Sequence, residues 1–86
     1  PDATFPPLTD LLALDEDAFR ERFRGRAIQR AKRDGLLRNA CIALGNTGTP
    51  ADLPALTAAL TDPSPLVREH AAWAIAQIEK REKRKD

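Results

Sequence analysis

Six cationic side chains fall between residues 24 and 38: Arg24, Arg26, Arg30, Lys32, Arg33 and Arg38, against one acid, Asp34, for a local net charge of +5. The 86-residue chain as a whole carries only +1, because residues 1–23 sum to −4, 39–78 to −2 and 79–86 to +2. Guanidinium groups present forked donors that match phosphate and carboxylate oxygens. A concentrated basic stretch is therefore a candidate contact for a nucleic-acid backbone or an acidic protein surface. On a continuous helix Arg26, Arg30 and Arg33 lie within about 60° of one another. That spacing predicts a phosphate-tracking ridge with Lys32 on its flank. Arg38 and Asn39 fall on another face, placed to reach a second phosphate or a base. The plainer reading is a solvated helix face that pairs with the acidic segment 1–23.

The other chemically active residues are few. Cys41 is the only cysteine, His70 the only histidine, and tyrosine is absent. One thiol forms no internal disulfide and holds neither zinc nor an iron–sulfur cluster. A nucleophilic thiol needs a base beside it, and no motif places His70 next to Cys41. Cys41 reads as a small core residue, and His70 as a surface or inter-helix hydrogen-bonding group. Trp73 borders an apolar stripe, which favours packing over stacking on a base of a single-stranded loop. Such an inventory argues against a self-contained enzyme.

Helices must position these residues. Pro6 and Pro7 end an extended arm, and Leu8, Leu11 and Leu12 recur at helical spacing. Asp15 is placed to cap a second helix, with Phe19 and Phe23 on one face and Gly25 closing it. A third helix is expected from about Ala27 to Leu44, stopping at Gly45–Asn46. Its apolar residues change face near Asp34–Gly35, and a continuous helix buried on different sides accounts for that. Leu53, Leu56 and Leu60 predict a fourth helix, with Asp52 as cap and Pro54 in its first turn. After the break Asp62-Pro63-Ser64-Pro65, Ser64 caps a fifth, whose stripe is Val67, Ala71, Ala74, Ile75 and Ile78. Nothing alternates as a strand would, and no run of about 18 apolar residues could cross a membrane. The chain starts at Pro1, lacks methionine and has no signal-peptide pattern. A piece of a longer, cytoplasmic protein is the expectation.

A shift of 31 residues aligns Leu36 with Val67, Ala40 with Ala71, Ala43 with Ala74 and Leu44 with Ile75. Small residues at such places let helix pairs stack closely. The break at 62–65, followed by Val67-Arg68 and Ala71, resembles a HEAT repeat. In that frame a bond from Arg68 to Asp62, or to backbone of the 61–65 turn, is expected. Longer strings narrow the resemblance: Arg30-Ala31-Lys32-Arg33-Asp34-Gly35-Leu36-Leu37-Arg38-Asn39-Ala40, then Ala43-Leu44-Gly45-Asn46, then Leu66-Val67-Arg68-Glu69-His70-Ala71-Ala72-Trp73-Ala74. In this order they resemble the C-terminal HEAT-like region of epoxyqueuosine reductase, a family that makes the last step of queuosine synthesis on tRNA. The likeness runs from Leu8 to about Ile78. It departs at Arg26-Ala27, where a small cap and a proline would be expected before Ile28. The resemblance implies cobalamin and two 4Fe–4S clusters held by an upstream module, with no cofactor in this chain, and a helical part that grips the tRNA.

The expected architecture is all-α, a right-handed stack of antiparallel helix pairs with about five helices. Residues 1–86 would form one HEAT-like domain, with 15–46 an elongated degenerate repeat and 52–80 a second. Its expected work is non-catalytic: holding the tRNA anticodon stem-loop by backbone phosphates through Arg26, Arg30, Lys32, Arg33, Arg38 and Asn39. The expected partners are that tRNA and the upstream cofactor-binding domains of the same chain, with no membrane. The alternative is a HEAT-type protein–protein interaction module or an intramolecular scaffold.

Overall fold

The computed structural model describes residues 7–22 and 30–84, the side chains of Arg30 and Ala31 excepted. The architecture among these residues is all-α and HEAT-like, with no strand. Helix α1 is Leu8–Leu12, α2 Glu16–Arg22, α3 Arg30–Thr47, α4 Leu53–Ala59 and α5 Pro65–Arg84; a 3-10 turn at Pro50–Asp52 leads into α4.

Side-chain caps set the starts of α2, of α5 and of the 3-10 turn. Asp15 Oδ1 accepts from the Ala18 N–H at 2.7 Å and caps α2 as expected. Phe19 of this helix is buried, while Phe23, Gly25 and the arm before Pro7 lie outside the described residues. Ser64 Oγ receives the Val67 N–H at 3.4 Å, and Pro65 takes the first position of α5, where its missing N–H costs nothing. Asp52 corrects the expectation for α4. Its carboxylate turns back to the Thr49 N–H (3.0 Å), while Thr49 Oγ1 receives the Ala51 N–H (3.3 Å), so Thr49 and Asp52 together cap the 3-10 turn. Pro54 does sit in the first turn of α4.

Helix α3 runs unbroken through Asp34–Gly35. It also passes the expected stop at Gly45–Asn46 and ends at Thr47. The reason lies far along the chain. Arg81 donates from Nη1 to Gly45 O and from Nη2 to Gly48 O, both at 2.6 Å, while the Gly48 N–H reaches Leu44 O at 2.7 Å. These donors satisfy carbonyls that a helix end otherwise leaves bare. Gly48 has little room for a side chain, since a Cβ there would lie 2.9 Å from Asp52 Oδ2 and 3.2 Å from Ile78 Cδ1.

Helices α3 and α5 pack side by side and form the largest contact of the molecule. The short turn after α4 folds it back on α5 as an antiparallel neighbour, and α1 lies against α3 and α4. Leu37, Ala40, Cys41 and Leu44 of α3 meet Val67, Ala71, Ala74 and Ile78 of α5, with Leu12, Leu56 and Ala59 completing the core. Three alanines in this seam let the helix backbones approach. The fully buried positions match at a shift of 30 (Leu37 with Val67, Cys41 with Ala71), one less than the shift read from residue identities. The shift of 31 pairs the buried Ala40 with Ala71 and also relates the half-buried or exposed Arg38 to Glu69, Asn39 to His70 and Ile42 to Trp73.

Candidate nucleic-acid interface

The expected ridge divides once the side chains are placed. Arg26 lies outside the described residues, and Arg30 is described only as the first backbone unit of α3. Lys32 is exposed. Arg33 is not on the surface: it is 2% exposed, which removes it from any phosphate-binding ridge. Its Nε and Nη2 donate to Leu14 O (3.1 and 2.9 Å), and its Nη2 and Nη1 to Asp62 Oδ1 and Oδ2 (2.5 and 3.2 Å). A further bond runs from Nη1 to Asp34 Oδ1 at 3.1 Å. The forked guanidinium thus ties α3 to the end of α1 and to the turn before α5. The cause is phase on the helix. Arg33 stands one turn before Leu37 and two before Ala40, at the start of the buried stripe. That signal was present in the sequence but was masked by the charge of its neighbours.

Asp62 is the hub of this end. Its Oδ2 also accepts the Ser64 N–H at 3.0 Å. Burial alone would raise its pKa, but the bonds from Arg33 and from the Ser64 N–H, with the charges of Arg33 and Arg68, bring it below the usual carboxylate value. The Asp62 hydrogen bond correspondingly raises the pKa of Arg33 against the lowering effect of burial. Arg68 binds the same turn through backbone: its Nη1 donates to Asp62 O at 2.6 Å, one of the two arrangements expected. The acids of 15–21 are not what neutralises Arg33; Asp17, for one, pairs with Arg20 at 3.2 Å within α2.

Arg38 differs. Its Nε donates to Asn39 Oδ1 at 3.2 Å, a neutral acceptor, and no carboxylate pairs with it among the described residues. Asn39 is exposed. Lys32 and Arg38 are about 120° apart around α3, so the structure does not bring them onto one line.

One and two turns beyond Arg38, Ile42 and Asn46 line an open depression of about 520 Å³ with Glu69, His70 and Trp73 of α5. Trp73 corrects the packing expectation in part, being 39% exposed. One edge of its ring lies on Gly45: a Cβ there would be 2.9 Å from ring atoms Cε3 and Cη2 and closer still to Cζ3. His70 Nδ1 is 2.8 Å from Leu66 O. A carbonyl only accepts, so Nδ1 carries the proton and Nε2 is left for other partners.

A family model described as HEAT repeats matches residues 24–86. The chain belongs to the HEAT-repeat family. Among curated proteins it is similar to epoxyqueuosine reductases. That of Xanthomonas campestris pv. campestris is 44% identical over 71 residues, covering 81% of this chain and 20% of the relative. That of Escherichia coli is 44% identical over 79 residues (88% and 20%), and that of Bacillus subtilis 35% over 79 (91% and 20%). The chain thus spans about a fifth of the length of these relatives. No solved structure gives a significant match.

Within this HEAT-type stack Cys41 has a packing role. Cys41 is fully buried, and burial pushes its thiol pKa up to about 11, which suppresses the thiolate. The residues present do not fit an iron–sulfur cluster, which needs several thiolates where this chain has one. No helix of the described residues is long and apolar enough to cross a membrane.

Proposed function

We propose that this chain is the C-terminal, non-catalytic RNA-holding module of an epoxyqueuosine-reductase-like, cytoplasmic tRNA-modifying protein. It grips the anticodon stem-loop of the tRNA through backbone phosphates. In this reading the oxidoreductase chemistry, with cobalamin and two 4Fe–4S clusters, belongs to upstream domains. The contact set is Arg26, Arg30, Lys32, Arg38 and Asn39, with Arg33 withdrawn.

The observation that carries the reading is Arg38: a guanidinium held beside a neutral amide, with no acid to neutralise it among the described residues. Such a group is ready for a phosphate oxygen. Similarity to proteins named for a tRNA nucleoside supplies the choice of polyanion. A second reading, a protein-docking or scaffold module, draws on Trp73 standing exposed beside Ile42.

The deciding experiment is binding of a queuosine-type tRNA, and of an unrelated tRNA, at two salt concentrations. Wild type should bind more weakly at higher salt. The Lys32→Ala/Arg38→Ala variant should bind more weakly than wild type and lower the log–log salt slope by about 2, roughly one for each phosphate contact. An unchanged affinity and slope would remove the phosphate reading and leave the docking module.

A further inference from the structure

We infer that the depression between α3 and α5 receives one unpaired nucleobase of the bound RNA, stacked on the open side of Trp73; this rests on the RNA-holding reading above. Three features point to a base rather than a phosphate or a peptide side chain.

The indole comes first. Large aromatic rings are usually well covered, yet Trp73 is 39% exposed while one edge of its ring packs on Gly45, which has no Cβ to push it away. A ring already packed along one edge loses less freedom than a free one when a second ring stacks on it. Stacking of this kind tolerates any base, because every base has a π-face.

Charge comes second. The lining is Ile42, Asn46, Glu69, His70 and Trp73, with a carboxylate and no Lys or Arg. A phosphate would be repelled by Glu69, whereas the planar, neutral part of a nucleotide would not. Asn46, Glu69 and the Nε2 of His70 supply hydrogen-bonding groups at the rim for the base edge.

Continuity comes third. Arg38 stands one turn before Ile42 on the same face of α3. The Arg38 guanidinium is turned toward Gly35, away from the depression (Nη2 would lie 3.9 Å from a Cβ there), so with the base in the depression it is the phosphate of a neighbouring nucleotide that meets the cation lacking an acidic partner. Phosphate and base are sorted to separate parts of one face.

Trp73 is the chain's only tryptophan, so its emission reports the stack directly. The test titrates the full 86-residue chain with an RNA hairpin that has an unpaired loop, and with a blunt RNA duplex of equal phosphate number. Binding is followed by anisotropy of labelled RNA alongside indole emission. The hairpin should quench the indole and the duplex should not. Trp73→Ala should weaken hairpin binding by about 5- to 100-fold, Trp73→Phe should recover most of it, and duplex binding should not change. Circular dichroism checks the fold, and quenching in the wild type decides the matter even if the alanine variant unfolds. If both RNAs bind alike with unaltered emission and Trp73→Phe is silent, the base site is wrong while the phosphate reading survives. If neither RNA binds, both are wrong.

Discussion

Arg33 and Arg38 leave the same helix five residues and about 140° apart, and their surroundings are opposite. Arg33 is buried at the α1 end, bonded to two carboxylates and a backbone oxygen. Arg38 stands one turn before Ile42 of the depression, its guanidinium turned back over Gly35 and bonded only to an amide among the described residues. Equal charges in one basic run thus do unlike work. One guanidinium holds three segments together, and its charge is spent inside the molecule. The other has no carboxylate partner among the described residues. A count of bases along a sequence overstates the charge offered to a ligand wherever one base falls in phase with the core.

The strongest way to break the contrast is Arg33→Ala. It leaves the Asp62 side chain, 7% exposed, without its counter-ion and Leu14 O without its donors. Removing one member of a buried pair costs about 3–5 kcal/mol, a large part of the stability of a small domain. Urea denaturation followed by circular dichroism should show this loss. A cost below about 1 kcal/mol would mean that Arg33 does not brace the fold. Replacing both partners, Arg33→Met with Asp62→Leu, should recover much of it.

Acid gives a smaller effect with a definite sign. The carboxyl of Asp62 has its pKa lowered in the folded state, so the stability it supplies is fully present above the ordinary carboxylate value of about 4. That stability is lost as pH falls below this value through the folded-state pKa. The urea midpoint should therefore decline on acidification below about pH 4, and less steeply in Asp62→Asn. Equal acid sensitivity in the two proteins would locate the titration elsewhere. The smallest effect on stability is expected at the other pole. Lys32→Ala with Arg38→Ala should shift unfolding by no more than about 0.5 kcal/mol for each substitution, even while it weakens RNA binding. A larger loss would assign Arg38 a bracing role and close the gap between the two arginines.

Local chemistry is what the sequence made legible. The Asp15 cap, the Ser64-Pro65 start and the Arg68 bond to the 62–65 turn join residues no more than six apart. The Asp52 cap was misread locally, since its carboxylate turns back to Thr49 three residues away, but two other misread features act over distance. Arg33 meets Asp62 across 29 residues, and Arg81 meets Gly45 across 36. Two of the acceptors involved, Leu14 O and Gly45 O, are backbone atoms that every residue carries, so no residue type marks them. Trp73 was misjudged for a related reason. Its place beside the stripe fixed one side of the ring, and only the packing of α3 against α5 determined that the other stayed open. Of the candidate site, Arg38 and Asn39 are legible by charge and phase, while the depression beyond them needs both helices.

Gly45 joins two of these findings. Its missing side chain seats the indole of Trp73, and its carbonyl receives Arg81 from the last turns of α5. The tail therefore clasps the stretch of backbone against which one edge of the aromatic ring packs. Loosening the final turns would free that backbone, and the seat of the indole would shift without any change to the residues that line the depression.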